Sequence, residues 1–171
     1  MTQISASLPP YVVNSSGLQV YDHIGALCRI IADGRMTGGA YSIVEERGRA
    51  GFMSPRHVHQ REAETFIVLS GELEGWTAGT LSRVTEGNLV YLPANLEHAF
   101  RIVSPSAHFL TLITPAGFET FFEDSGVPLE QPFSGELLVP GPLSQEEGAA
   151  LQAILSPLGC TITGPPPFAA D

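Results

Sequence analysis

The chain has 171 residues, which is long enough for one domain to bury a core without disulfide or metal support. It carries 18 acidic residues against 8 basic ones, and this negative charge disfavours binding to nucleic-acid phosphates or anionic lipid surfaces. The stretch MTQISASLPP lacks the basic start and apolar run of a targeting signal, and no segment has the roughly 20 apolar residues that span a bilayer. We therefore expect a single cytoplasmic domain over residues 1–171, without a nucleic-acid or membrane partner.

Short runs of strand-favouring residues follow one another from about residue 20 to residue 116. Gly, Pro and Asn separate the runs LQVYDHI, ALCRIIA, AYSIVEE, the two runs within GFMSPRHVHQREAETFIVLSG, TLSRVTE, NLVYLPA, HAFRIVS and HFLTLIT. Many short strands at this spacing favour an antiparallel sandwich or a small barrel over alternating βαβ units. The sequence therefore predicts an all-β fold.

The pattern changes after Thr114. Phe118, Phe121 and Phe122 stand at i, i+3 and i+4, which predicts one face of a short helix that Gly126 ends. This helix lies close to the last strand in sequence, so its Phe face either covers a pocket or packs on the outside of the barrel.

A second helix is predicted over about 145–156. Ser144 at its start and Glu147 three residues later form a capping-box pattern ahead of an apolar run. The proline-rich segment before it is expected to be irregular. Residues 117–171 are therefore expected to form a short helical and irregular extension of the barrel.

Two histidines occur at i and i+2 in the stretch SPRHVHQREAETF. If this stretch is a strand, His57 and His59 project from the same face and could share a metal ion. Glu62 and Glu64 follow closely, and a hairpin connection would bring a carboxylate beside both rings. A lone His-x-His pair is more often a solvated surface feature, so a metal site needs further support.

That support is a resemblance to the cupin superfamily. The first cupin motif runs glycine, five residues, His-x-His, three or four residues, glutamate, six residues, glycine, and it is matched in full. The second motif is matched at a glycine, a proline and a histidine. The matching residues are Gly51, His57, His59, Glu64 and Gly71, then Gly87, Pro93 and His98. The chain departs from the second motif at Asn95, a turn position where glycine is preferred, and at Ile102, where asparagine is preferred.

The resemblance implies a cupin jelly-roll barrel over about residues 20–116 that binds one divalent transition metal per chain. The implied ligands are His57, His59, Glu64 and His98. Three imidazoles and one carboxylate suit Fe, Mn, Co, Ni or Zn, so the identity of the metal stays open.

The resemblance also sorts the remaining candidates for metal ligands. It gives the ligand position to Glu64 and makes Glu62 a turn residue, so that Glu62→Gln is expected to be nearly silent. His23 and His108 match no motif position, and we interpret both as ordinary structural or surface histidines.

Strand alternation predicts the walls around the metal. Side chains on the same faces as the ligands, together with the Phe-rich helix, would line a pocket with few polar groups, although the deepest of them could be core residues. Arg56 and Arg101 have the opposite parity, which argues weakly against an acidic substrate. The expected pocket residues are Met53, Phe66, Phe100, Ile102, Phe118, Phe121 and Phe122.

Within the cupins, the chain resembles small bacterial single-cupin quercetinases. The resemblance rests on the four-residue gap between His59 and Glu64, on the segment PANLEHAF, and on TPAGFETFFEDSGVP after the last barrel strand. It implies a metal-dependent dioxygenase that cleaves a flavonol such as quercetin, or a related aromatic enol, with O₂. Glu64 would act as the catalytic base, and a homodimer is expected from the family.

Two other functional classes stay open, because one fold hosts many chemistries. The first is a cupin isomerase, decarboxylase or lyase that acts on a small enolisable substrate and needs no O₂. The second is a non-catalytic ligand-binding cupin.

Overall fold

The computed structural model describes residues 8–168, which form two antiparallel β-sheets around a shared core. Within these residues the strands are β1 (Val20–His23), β2 (Ala26–Ala32), β3 (Ser42–Arg49), β4 (Arg56–His59), β5 (Ala63–Ser70), β6 (Glu72–Thr77), β7 (Thr80–Thr85), β8 (Leu89–Leu92), β9 (His98–Ile102), β10 (Ser106–Thr114), β11 (Val127–Leu129) and β12 (Cys160–Gly164). The helices are α1 (Gly34–Thr37), α2 (Thr120–Ser125) and α3 (Gln145–Leu155), with single 3₁₀ turns at Ser15–Gly17 and Ser156–Leu158. The expected all-β jelly roll with a few short helices is confirmed.

The larger sheet has the strand order β11-β1-β2-β3-β10-β5-β8, and the smaller has the order β12-β4-β9-β6-β7. Strand β10 shows how the sheets bury their inner faces, since every second residue from Ala107 to Ile113 is buried. Phe66 and Phe109 of the larger sheet pack with Leu73 and Phe100 of the smaller one in a common core. The barrel interior is therefore filled by side chains from both sheets.

Gly71 joins the two sheets between β5 and β6. Its φ is +83°, and an added Cβ would lie only 2.8 Å from the Cα of Ala107. A side chain at this position would be strained by both the backbone conformation and the close approach of β10. Gly71 of the first cupin motif is thus required by the turn between β5 of the larger sheet and β6 of the smaller sheet.

The C-terminal extension contains both helices that the sequence predicts. Helix α2 is followed by Gly126, and the Ser144–Glu147 capping box is present at the start of α3. Phe121 and Phe122 are buried against the apolar face of α3. None of the helices within residues 8–168 is long and apolar enough to cross a membrane.

The extension also contains two strands that the sequence did not predict. Strand β11 pairs with β1, and β12 pairs with β4, so the extension adds a strand to each sheet. Each new strand has five residues or fewer and borders glycine or proline. Such short runs become strands only because a neighbouring strand offers backbone hydrogen bonds, which a local sequence pattern does not reveal.

Candidate metal centre

Three strands bring the four expected ligands together between the sheets. His57 and His59 lie on β4, and His98 is the first residue of β9, where it pairs directly with His57. Glu64 approaches from β5 in the opposite sheet. One potential ligand atom from each of these side chains lies within 4.8 Å of the other three. The residues that the sequence selects therefore form one compact N₃O cluster.

Backbone carbonyls orient two of the imidazoles. The His57 Nδ1 lies 2.9 Å from the Pro55 carbonyl oxygen, and the His98 Nδ1 lies 2.8 Å from the Leu96 carbonyl oxygen. A carbonyl only accepts hydrogen bonds, so each Nδ1 donates its proton and leaves the Nε2 lone pair free. The freed His98 Nε2 points at the Glu64 carboxylate, with an Nε2–Oε2 distance of 3.2 Å. This is the orientation that a metal-binding histidine needs.

The turn before β9 fixes the position of His98. Asn95 has a φ of +64°, the left-handed conformation expected at this turn. Its N–H donates to the carbonyl oxygen of His59 at 2.7 Å. The second motif is thus held by a backbone hydrogen bond to the first, so the replacement of glycine by asparagine leaves the turn intact.

The electrostatics of the cluster favour a cation. Burial and the neighbouring His98 lower the pKa of His57 to about 3, which keeps its imidazole neutral. Burial also disfavours charge on His59, but the Glu64 carboxylate more than offsets this and raises the pKa of His59 to about 10. Burial opposes ionisation of Glu64, yet its charge and hydrogen-bond interactions with His59 hold its pKa well below its usual range. Without a metal, a proton on His59 balances the buried carboxylate, and a divalent cation would take over that role.

Glu62 is more closely tied to the centre than its turn position suggests. It lies in the connection between β4 and β5, but only 1% of its surface is exposed. Its Oε2 is 4.0 Å from the Nδ1 of His59, and neither atom has a hydrogen-bond partner among residues 8–168. The assignment to a turn is correct, but the carboxylate faces the ring nitrogen of His59 that points away from Glu64.

A largely apolar cavity of about 90 Å³ opens beside the centre. Six of the seven expected pocket residues line it: Met53, Phe66, Phe100, Phe118, Phe121 and Phe122. Ile102, the seventh, does not line this cavity, because it lies on the same face of β9 as His98 but two pleats further along the strand, in the core. Alternation predicts the face on which a side chain lies, and the depth along the strand decides whether it reaches the cavity.

The cavity has polar wall residues that sequence reasoning missed. His23 was interpreted as a structural or surface residue, yet it lines the cavity with Glu46 and Thr111. Cys160 also lines it, with its Sγ 4.0 Å from the His59 Nε2. These residues come from β1, β3, β10 and β12, and only the pairing of distant strands brings them to one place. His108 matches its assigned structural role, since it lies outside this cavity and pairs with Glu45.

The Phe-rich helix face forms an inner wall. Phe118 packs edge-on against the His59 ring, with 4.3 Å between ring centroids, and less than a tenth of Phe121 or Phe122 is exposed. A wider cleft of about 880 Å³ adjoins the cavity and shares six of its wall residues, namely Ile24, Phe52, Met53, Pro55, Leu143 and Ile162. The cavity and the cleft therefore share one side.

Comparison with known proteins identifies the fold family. Residues 46–113 match the family model described as a cupin domain. These residues therefore resemble a cupin domain, in agreement with the strand order of the two sheets. It is 30% identical over 130 residues to quercetin 2,3-dioxygenase of Bacillus subtilis, and this alignment covers 76% of the chain and 39% of that enzyme. The enzyme of the same name from Aspergillus japonicus is 31% identical over 71 residues, which are 39% of the chain and 20% of the enzyme.

A solved structure agrees with the cupin fold. An RmlC-like cupin from Shewanella frigidimarina superimposes with a TM-score of 0.57 at 14% identity, covering 66% of this chain and 96% of that one. At this identity the likeness concerns the fold alone. The chain spans less than half the length of the two curated quercetin 2,3-dioxygenases, so their activity is a basis for a proposal only.

Proposed function

We propose that this cupin is a metal-dependent dioxygenase that cleaves a flavonol, or a related aromatic enol, with O₂. For a flavonol, both oxygen atoms enter the products as the ring opens and carbon monoxide leaves. The observation that carries the proposal is the buried N₃O cluster at the wall of an apolar cavity. The 30% identity to a quercetin 2,3-dioxygenase over three quarters of the chain supports this chemistry.

A divalent transition metal fits the donor set. His57, His59, His98 and Glu64 would hold it, because two imidazoles already present Nε2 to the centre and the carboxylate balances the charge. When bound, the metal supplies a Lewis acid that makes a coordinated enol hydroxyl more acidic.

Glu64 is the candidate proton acceptor. Burial opposes its ionisation, but the charges and hydrogen bonds of His59 and His98 hold its pKa well below the usual range, so the carboxylate is ionised at neutral pH. So low a pKa also makes it a weak base, so proton transfer to it relies on the increased acidity of the metal-coordinated hydroxyl rather than on the basicity of Glu64. Its Oε2 lies 3.2 Å from the His98 Nε2 and 3.4 Å from the His59 Nε2, so these rings hold it at the edge of the cavity. An enol hydroxyl beside the centre would therefore meet a fixed, unprotonated carboxylate.

The cavity suits an apolar aromatic substrate. Its walls carry aromatic and aliphatic side chains, and neither arginine nor lysine lines it in the described part of the chain. A carboxylate substrate would therefore find no arginine or lysine there, and only the candidate metal centre could offset its charge. The cavity of about 90 Å³ shares one side with the outer cleft, so a ligand larger than the cavity would extend into that cleft.

The test is oxygen consumption by purified protein reconstituted separately with Fe, Mn, Co, Ni and Zn and supplied with a panel of flavonols and enols. We expect O₂ uptake and release of carbon monoxide with at least one flavonol. Turnover of a small enolisable substrate without O₂, and no flavonol consumption with any metal, would assign the chain to the isomerase, decarboxylase or lyase class instead. Ligand binding without any turnover would indicate a binding cupin.

A further inference from the structure

His23 is a buried polar side chain that the proposed chemistry does not use. It ends β1, it is 4% exposed, and neither of its ring nitrogens has a hydrogen-bond partner among residues 8–168. The rings of Phe121 and Phe122 hold it in place, with centroid distances of 4.9 and 4.7 Å. Buried polar atoms without partners are uncommon in native structures, and this one lines the cavity.

The chemistry of this imidazole defines what would bind it. Burial lowers the pKa of His23 to about 3, so the ring is neutral and carries one N–H donor and one acceptor nitrogen. A hydroxyl group is the matching ligand, because it donates and accepts in the same place. An aromatic hydroxyl also agrees with the flanking phenylalanine rings.

Glu46 supplies a second polar group on the same cavity wall. It is 3% exposed, and its Oε1 accepts a hydrogen bond of 2.6 Å from the Thr111 hydroxyl. Burial, with a smaller contribution from the charge of Glu64, raises the pKa of Glu46 to about 8. At neutral pH its carboxyl group is therefore mostly protonated and can donate a hydrogen bond as well as accept one.

The sheet places these groups at a distance from the metal ligands. Glu64 lies on β5, Thr111 on β10, Glu46 on β3 and His23 on β1, and these strands follow the order β5-β10-β3-β2-β1. Neighbouring strands are about 4.8 Å apart, so Glu46 and His23 lie two and four strand spacings from Glu64 along the sheet. Because these residues line one cavity with Glu64, a ligand that touches both the metal centre and this region needs hydroxyls at more than one position.

We propose that His23 and Glu46 form a second, hydroxyl-binding subsite in the cavity, which selects multi-ring phenols with hydroxyls remote from the metal-binding enol. This proposal rests on the proposed function for its ligand class. It makes the two residues determinants of specificity rather than catalytic groups. A site that hydrogen-bonds a hydroxyl discriminates strongly against the analogue that lacks it, because its own polar groups are then left unpaired.

The test compares quercetin, which has hydroxyls on both ring systems, with 3-hydroxyflavone, which keeps only the enol hydroxyl. Dissociation constants are measured by calorimetry with the metal-free protein. We expect His23→Phe and Glu46→Leu each to weaken quercetin binding about tenfold while leaving 3-hydroxyflavone binding within about twofold. Glu46→Gln keeps a donor and an acceptor, so it should retain most of the quercetin affinity. His108→Gln, at a histidine outside the cavity, is the matched control and should change neither constant.

A second measurement does not depend on the variants folding. In wild-type protein labelled with ¹⁵N-histidine, saturation with quercetin should shift the ring nitrogen resonances of His23, and 3-hydroxyflavone should leave them nearly unchanged. Identical effects of both ligands on those resonances, or equal loss of both affinities in the variants, would overturn the subsite.

The outcomes separate this subsite from the proposed function. If quercetin binding depends on His23 but O₂ is not consumed, the dioxygenase proposal fails and the subsite stands. If quercetin is turned over with the same KM in wild-type, His23→Phe and Glu46→Leu proteins, the function stands and the subsite fails.

Discussion

The carboxylate of Glu62 faces the Nδ1 of His59 at 4.0 Å, on the side of the ring away from Glu64. His57 and His98 each have a backbone carbonyl at their Nδ1, so Glu62 is the group in the corresponding position for His59. At 4.0 Å the two atoms do not form a hydrogen bond, but a shift of about 1 Å would let the carboxylate accept one from His59, which would raise the basicity of the ligand nitrogen and fix the ring. Glu62 is therefore the candidate for a positioning residue in this centre.

Removing this carboxylate should weaken metal binding. We expect Glu62→Ala to lower metal affinity about tenfold, the lower end of the usual effect for such partners. Glu62→Gln keeps an oxygen that can face the His59 Nδ1 and loses only the charge, so it should have a smaller effect, close to the near-silence expected from the sequence. Competition with a chromogenic chelator measures the affinities. An affinity of Glu62→Ala equal to that of wild type would leave Glu62 as a turn residue only.

The four expected ligands should be necessary for metal binding but not for folding. Replacing His57 or His98 with Ala should remove most of the bound metal, because it removes one of three imidazole donors. Elemental analysis gives the metal content, and circular dichroism should show little change because the apolar core is separate. His108→Ala is the control. Full metal occupancy in a His57→Ala, His59→Ala double variant would disprove the ligand assignment.

Glu64 should be needed for turnover even where some metal is retained. An amide coordinates weakly but cannot accept a proton, so Glu64→Gln should lower kcat at least about 100-fold, the usual minimum for a general base. The rate should be expressed per bound metal ion. A loss of metal affinity is then distinguished from a loss of kcat. A kcat near that of wild type would show that a group other than Glu64 accepts the proton of the enol hydroxyl.

Truncation of Phe121 or Phe122 should affect substrate binding more than chemistry. Both side chains line the cavity without contacting the ligand cluster, and Phe→Ala there should raise KM more than it lowers kcat. Either change should also cost about 3–5 kcal/mol of stability. Phe133→Ala, at a buried residue of a different core cluster, is the matched control and should lose stability with KM unchanged. Equal kinetics in all three variants would make the helix purely structural.

Glu46 should make the metal-free protein less stable as pH rises. Its folded-state pKa of about 8 lies above the value of about 4.3 in an unfolded chain, so the folded state binds the proton more tightly. The resulting stabilisation is fully present below the unfolded pKa and is lost as pH rises through about 8. We expect the free energy of unfolding to fall by roughly 3 kcal/mol more between pH 5 and pH 8 in wild type than in Glu46→Gln. Parallel denaturant titrations measure this difference, and matching slopes in the two proteins would show that Glu46 is ionised in the fold.

The cupin resemblance, rather than local spacing alone, predicted which four candidate ligands lie together. His57 and His59 stand two residues apart on a strand, and the cupin motif supplies the distances to Glu64 and His98. His98 lies 34 residues from Glu64 and is tied to the set only by that resemblance, whereas the other three candidates are close in sequence. The capping box at Ser144 was predictable from local spacing, since its partners are three residues apart.

The remaining wall of the cavity depends on contacts between distant segments. His23 and Cys160 reach the cavity only because β1 and β12 take particular places in two sheets, and neither place is encoded by neighbouring residues. Glu62 was identified as a turn residue, but its burial depends on the elements that cover the turn. Ile102 had the correct parity, and its depth along β9 could not be predicted from alternation.

The pairing of β12 with β4 has a consequence for where the cupin unit can be cut. The family match stops at residue 113, but Cys160 and Ile162 are register partners of His59 and His57. In a fragment that ends at residue 113, β4 would become an edge strand of its sheet. Its unpaired backbone groups would promote aggregation. The fragment would also lose Cys160 beside the centre and the Phe-rich wall of the cavity. The working boundary of the candidate metal centre is therefore Gly164, about fifty residues beyond the end of the family-model match.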